Sequence, residues 1–278
     1  MTNTLRRLPY TAQSTALQLA TGSAMLAGLD DLTNQPPRGA LRWYTMTTPA
    51  VILGTGQKLT EFDRNAAQAA GIVLHRRSSG GTAVFADPLL LMQDIVLPTD
   101  HPLYTFDVTR SYYWLGALWV AVLARLGIAA HLIDVEAART DTRDLDPLTR
   151  RSCYGGRSPY EVLVNGKKLV GLAQTRRRAG ALLQTGIYTH WQAQPLADLL
   201  LLTTDERAAL VERLNRRVVG LGDLLPNYHP ADLLPALIEA FEQELHTQHG
   251  ITLEDSTWNT TELATREREA TGRYGPLG

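Results

Sequence analysis

The chain contains one cysteine, Cys153, in the run Ser152-Cys153-Tyr154-Gly155-Gly156-Arg157-Ser158-Pro159-Tyr160-Glu161. A thiol becomes a nucleophile as its thiolate, and cationic neighbours favour that form. Arg150, Arg151 and Arg157 supply such neighbours, so a cysteine in this polar, glycine-containing loop is a candidate nucleophile. The same residue also fits an inert buried thiol, the usual fate of a free cysteine.

Two other stretches have the composition of a binding site. In His75-Arg76-Arg77-Ser78-Ser79-Gly80-Gly81-Thr82-Ala83-Val84-Phe85-Ala86-Asp87, small residues let backbone N–H groups approach a ligand, and paired arginines add positive charge. A tight hairpin with solvated arginines would read the same way. In Asn165-Gly166-Lys167-Lys168-Leu169-Val170-Gly171-Leu172-Ala173-Gln174, two lysines enter an extended run. Strand alternation puts Leu169, Gly171 and Ala173 on one face, leaving room for a ligand above the two small residues. A solvated lysine and a strand covered by a helix are the plainer alternative.

Elements must bring these stretches together. The N-terminal region reads as an amphipathic helix with Leu17, Ala20, Ala24 and Leu26 inward; polar interruptions at Gln13, Ser14, Thr15, Gln18 and Thr21 argue against a signal peptide. A turn-rich connector follows at 34–39, then strands at 41–46 and 51–54. A short helix spans 60–70 and stops at Gly71. Strands are expected at 72–77, 83–85 and 89–97. Asp107 is a candidate N-cap for a long helix reaching Leu126 and closed by Gly127. Residues 135–151 are highly charged and aperiodic, and read as a mobile surface loop. Asn165-Gly166 between apolar runs 160–164 and 167–173 is a hairpin code. A further strand covers 180–188. Helices follow from Pro195, with a capping box at Thr203 and Glu206, a long amphipathic helix at 230–246 and a short one at 260–272. Strands dominate the first two-thirds without regular βαβ alternation. The fold class is therefore α+β, a mixed or antiparallel sheet flanked by helices.

The bulk properties bound the function. A 278-residue chain with 44% hydrophobic and 20% charged residues can bury a full core. One cysteine excludes an internal disulfide and suits a reducing cytoplasm, the expected location. The net charge of -1 gives no electrostatic reason to expect nucleic acid or an anionic membrane. No run approaches the length of a membrane span. Arg176-Arg177-Arg178 reads as a solvated strand end facing an acidic partner. His246 and His249 read as surface residues rather than a metal pair, and no metal is expected.

Taken together, these motifs resemble the lipoate–protein ligase and octanoyltransferase family, which shares its catalytic fold with biotin–protein ligases. The order is Arg-Arg-x-Ser-Gly-Gly, a strand pair, a long helix, a cysteine loop and Gly-Lys-Lys-x-x-Gly-x-Ala-Gln. Leu41-Arg42-Trp43-Tyr44 and the turn from Gly54 to Gln57 look like the family's early elements. The resemblance covers roughly residues 10 to 200 and is similar most of all to the cysteine-dependent octanoyltransferases, in which a cysteine before a Ser-x-Tyr-Glu-like stretch accepts the acyl group. It implies a catalytic domain over 1–250 and a C-terminal extension over 251–278 packed on the same domain.

It also implies roles. Cys153 and Lys168 are the catalytic pair, with Lys168, next to Lys167 as the alternative, contacting the acyl carbonyl, stabilising the thiolate and accepting a proton from the incoming amine. Arg76, Arg77, Ser79, Gly80, Gly81 and Thr82 line the acyl site, and Gly171, Ala173 and Gln174 continue it. The implied donor is octanoyl-acyl carrier protein or free lipoate. The implied acceptor is a lysine on a lipoyl domain or a glycine-cleavage H-like protein. The transferase needs no cofactor, whereas an ATP-dependent lipoate ligase would use ATP and Mg2+. Thr82 and Ala86 stand where ligases carry a glycine and a histidine, Thr185-Gly186 where many members have histidine-glycine, and the accessory C-terminal domain of the larger ligases is not expected. Those departures leave an inactive lipoyl-domain-binding relative as a third reading.

Overall fold

The computed structural model describes residues 3–30, 39–225 and 230–277. Its strands are β1 (Thr4–Arg7), β2 (Thr11–Gln13), β3 (Ala40–Met46), β4 (Ala50–Leu53), β5 (Val73–Arg76), β6 (Val84–Ala86), β7 (Leu90–Pro98), β8 (His131–Leu132), β9 (Val162–Val164), β10 (Lys167–Arg177), β11 (Gly180–Tyr188) and β12 (Thr252–Asp255). Its helices are α1 (Thr15–Gly28), α2 (Arg64–Ala69), α3 (Ser111–Arg125), α4 (Val135–Asp144), α5 (Gln194–Asp198), α6 (Thr204–Arg217), α7 (Leu221–Leu224), α8 (Pro230–His249) and α9 (Thr260–Thr271).

The large sheet runs β12-β1-β3-β7-β11-β10-β9-β8, with β2 added beside β3; a small sheet runs β5-β4-β6. The central pairs β3–β7–β11–β10 are antiparallel, while β1 joins β3 and β12 in parallel. This is the expected α+β class with a mixed sheet. The register of β9 and β10 follows from Asn165 and Gly166, whose φ values of 50° and 74° supply the turn that the hairpin code demands.

Alternation along β7 explains the layers. Leu91, Ile95 and Leu97 face α3 and α8, where Trp43, Trp119 and Phe241 pack edge to face or tilted. The opposite face meets α1, through Met25, Leu26, Val96 and Leu182. The small sheet forms its own core with α5 and α6, through Val51, Leu53, Leu196 and Leu210.

Several expectations are corrected. The first helix is not amphipathic: Leu19, Ala20, Ala24, Met25 and Leu26 are buried together with Gln18, Thr21 and Ser23, while Leu17 is only half-buried. The cause is α9, which covers the side of α1 turned away from the sheet. Residues 135–151 are not a mobile loop; they contain α4, capped by Asp134, whose carboxylate accepts from the Ala137 N–H. The short helix at 60–70 starts later, after a single 3₁₀ turn, because Asp63 accepts from the N–H groups of Asn65 and Ala66. Asp107 caps only a turn, accepting from Arg110 N–H, and α3 starts at Ser111. Strands β1, β2, β8 and β12 have no counterpart in the sequence reading. Residues 34–38 of the expected connector lie outside the described residues.

Candidate active site

The site forms where the small sheet meets the large one. Two backbone bonds sew the cysteine loop to the strand after the glycine loop: Cys153 N–H donates to Ala83 O at 2.8 Å, and Ala83 N–H to Arg151 O at 3.3 Å. Gln57 adds a side-chain donor to Arg151 O at 3.3 Å. The glycine loop can lie this close only because Gly54 has no side chain, since a Cβ there would fall 1.8 Å from Gly81 O. Thr55 then holds the loop, donating through both N–H and Oγ1 to Ser79 O.

A largely apolar cavity opens beside these loops. Leu19, Ile52, Val84 and Met92 line it, with Cys153, Arg77, Lys168, Glu161, Gly171, Ala173, Gln184 and Thr185 supplying its other walls. Lys168 Nζ is 3.2 Å from Cys153 O and 2.7 Å from the Glu161 carboxylate. Glu161 is itself held by the N–H groups of Ser158 at 2.7 Å and Leu172 at 3.3 Å. An ammonium has three donors, so beyond Cys153 O and Glu161 Lys168 has one N–H with which to meet a ligand in the cavity that it lines. Arg77 Nη2 lies 3.6 Å from Cys153 Sγ, and the same guanidinium is fixed by Gly80 O and Thr82 O.

Tyr154 forms a wall of the cavity. Its phenol donates to Gly186 O at 2.7 Å, and its ring packs on Tyr188 and Trp191. Burial, reinforced by the nearby Cys153 and Glu161, pushes its pKa well above the usual phenol range, so it stays a neutral donor. Gly171 and Gly186 make room for it: a Cβ at Gly171 would sit 3.2 Å from the ring, and one at Gly186 2.7 Å from the hydroxyl.

The sequence-selected residues divide into three groups. Cys153, Lys168, Arg77, Gly171 and Ala173 share the cavity. Ser79, Gly80, Gly81 and Thr82 form the adjoining loop; a Cβ on Gly81 would be 3.4 Å from Cys153 Sγ, and the buried Ser79 Oγ has no partner among the described residues. Arg76, Gln174 and Lys167 point elsewhere. Arg76 donates to the carbonyls of Gly54, Thr55 and Gln57 and so shapes the loop. Gln174 donates to Val108 O and accepts from Ser111 Oγ at the start of α3. Lys167 donates to Asn215 O. Leu169 does not share the face of Gly171 and Ala173: a bulge between Lys168 and Val170 turns it into the main core. Arg176 is not simply solvated, since it stacks on Tyr104 and donates to Phe106 O. His246 bonds Ile251 O, His249 packs on Trp114, and no metal-binding group occurs among the described residues.

Glu161, Tyr154, Thr185 and the apolar lining were absent from the sequence-selected site. Glu161 gave one signal, a carboxylate directly before an apolar strand. Leu19 and Met92 gave none, because they reach the cavity only through tertiary packing.

No helix among the described residues is long and apolar enough to cross a membrane. The lipoyl protein ligase A/B catalytic domain model matches residues 18–242. Octanoyltransferase LipM of Brevibacillus brevis is 27% identical over 266 residues, covering 95% of this chain and 93% of the relative. The LipM octanoyltransferase of Kyrpidia tusciae is 34% identical over 241 residues, covering 84% and 81%. Among solved structures, the bipartite lipoate protein ligase of Thermoplasma acidophilum superposes with a TM-score of 0.75 at 22% identity, over 98% of this chain and 93% of that one. A lipoate-protein ligase A bound with ATP gives a TM-score of 0.70 at 23% identity, over 98% and 95%. The long match of the family model, carried by a chain whose glycine loop, cysteine loop and lysine strand converge on one cavity, establishes that this protein belongs to the lipoyl protein ligase A/B catalytic domain family.

Proposed function

We propose that this protein is an octanoyltransferase of protein lipoylation that works through a thioester on Cys153. The observation that carries the reading is the position of the Cys153 sulfur: it borders an apolar cavity, with the Arg77 guanidinium 3.6 Å away and the buried Lys168 ammonium bonded to its own carbonyl. The resemblance to LipM octanoyltransferases over most of the chain supports the acyl group.

In the first half-reaction the Cys153 thiolate attacks the carbonyl carbon of an octanoyl thioester on a carrier protein. The C–S bond to the carrier breaks, and the carrier thiol takes the proton that Cys153 gave up. In the second, the neutral amine of a lipoyl-domain lysine attacks the acyl-enzyme; an amide forms, and the Cys153 sulfur leaves with the amine's proton. Covalent catalysis thus replaces one protein-to-protein transfer by two exchanges at a fixed sulfur. The remaining N–H of Lys168 stabilises the oxyanion of each tetrahedral intermediate. An ammonium bonded to Glu161 is a donor, so the role assigned to it here is oxyanion stabilisation rather than proton acceptance. The acyl tail lies among Leu19, Ile52, Val84 and Met92, where each buried methylene contributes about 0.8 kcal/mol.

A nucleotide fits this site poorly. Arg76 and Arg77 spend donors on loop carbonyls, and the Glu161 carboxylate stands beside Lys168, where a polyphosphate would need uncompensated charge. No step is therefore routed through ATP. The test is acyl transfer to an apo-lipoyl domain, run in parallel with octanoyl carrier protein alone and with free lipoate, ATP and Mg2+. Product from the first mixture and none from the second supports the reading; product from the second alone overturns it.

A further inference from the structure

β5 is an edge strand of the small sheet, and its open side is occupied by the C-terminal tail. Leu277 N–H donates to Leu74 O at 2.8 Å. One residue on, the buried His75 ring bonds Tyr274 O through Nδ1 at 2.8 Å. A carbonyl oxygen only accepts, so Nδ1 carries the proton. Tyr274 is almost fully buried, in the same apolar cluster as the cavity residues Leu19, Ile52 and Tyr154. Immediately after His75 come Arg76, which shapes the 54–57 turn, and Arg77, which meets the sulfur. The tail lies beyond residues 18–242, the span matched by the family model.

We propose that His75 is a positioning residue and that the tail at 274–277 is its anchor: together they fix the edge strand so that the Arg77 guanidinium faces Cys153. The inference rests on the acyl-thioester reading for its catalytic meaning, but its geometry does not. The backbone bond from Leu277 lies on the edge of β5 away from β4, and the His75 side chain adds a second tie to the tail; on the inner side Leu53 is the register partner of Arg76. Removing the tail's bonds leaves a four-residue strand held by β4 alone, and the loop after it, which carries the Arg77 guanidinium on the carbonyls of Gly80 and Thr82, loses part of the support that sets it against the sulfur.

Alkylation by iodoacetamide reads the sulfur directly, because Cys153 is the only cysteine in the chain. The variants are His75→Leu, which removes the donor, His75→Asn, whose amide can restore a donor near the Nδ1 position, and deletion of 274–278. The expected result is a severalfold slower alkylation at neutral pH for His75→Leu and for the deletion, with a near-normal rate for His75→Asn. Octanoyl transfer should show the same order in kcat, with KM for the carrier little changed. An unfolded preparation would expose the thiol and alkylate faster, so misfolding cannot imitate this result. Should His75→Leu not fold, the deletion and the His75→Asn comparison decide. Wild-type alkylation rates in the folded variants, whatever their melting temperatures, would overturn the proposal, as would an equal loss in His75→Asn and His75→Leu. If the alkylation order holds but no octanoyl adduct forms on Cys153, the acyl-thioester reading fails while the positioning role stands.

Discussion

The Lys168 ammonium lies 2.7 Å from the Glu161 carboxylate, and each side chain is at most 3% exposed. A buried pair of this kind gains little over an apolar pair of equal volume, but breaking it strands a charge at a cost of about 3–5 kcal/mol. Lys168→Met or Glu161→Leu alone should therefore lower unfolding stability by about that amount. The double variant should recover most of the stability and none of the acyl transfer, because it lacks the donor proposed for the oxyanion. Urea denaturation paired with a transfer assay checks this; a double variant no more stable than either single one would refute the buried-pair account.

Tyr154 should control how long an acyl chain the cavity takes. A methyl group on Gly186 would sit 2.7 Å from its hydroxyl, in place of an easy fit, and the ring must shift. Gly186→Ala is expected to shorten the preferred chain, lowering kcat/KM for octanoyl relative to hexanoyl donors. One lost methylene contact corresponds to about 0.8 kcal/mol, or about fourfold. An unchanged chain-length profile would show that Tyr154 does not bound the tunnel.

Acid should weaken the fold through His101. Its ring is 6% exposed, and Nδ1 accepts from Leu103 N–H at 3.2 Å. Burial, partly offset by the neighbouring Asp100, holds its pKa down to about 4 from the ordinary 6.5. The unfolded chain therefore takes up a proton first as pH falls. The stability that this neutral ring contributes is complete above pH 6.5 and is lost as pH falls from there toward 4, up to about 3 kcal/mol. His101→Asn, which keeps an acceptor near Nδ1, should flatten that part of the pH–stability curve. A curve equally steep in wild type and variant would assign the acid loss to other groups.

The sequence revealed those parts of the fold that depend on local chemistry. Asn165-Gly166 specified a hairpin, and Thr203 with Glu206 specified a helix start, because each code acts within a few residues. Cys153 and Lys168 stood out as candidates, and the structure brings them to one cavity, although nothing local shows that Lys168 would reach the Cys153 carbonyl. What it missed depends on distant partners. β12 is a strand because it lies beside β1, whose residue Leu5 faces Leu253 across the ladder. α1 is buried on both sides because α9 returns to cover it. The charged, aperiodic sequence of α4 suggests a loop, yet Asp141 there pairs with Arg157 and Arg217. Glu161 has no local sign of burial, since a carboxylate normally marks the surface; the buried Lys168 and the N–H groups of Ser158 and Leu172 explain its place.

The central claim is that the acyl group rests on the Cys153 sulfur, and intact mass tests it most directly. The protein is mixed with octanoyl carrier protein in the absence of any acceptor. The account predicts an octanoyl adduct that hydroxylamine releases, that an apo-lipoyl domain discharges, and that Cys153→Ala does not form. A folded wild-type protein that transfers octanoyl groups without passing through such an adduct, or a Cys153→Ala variant that transfers at the wild-type rate, would contradict it.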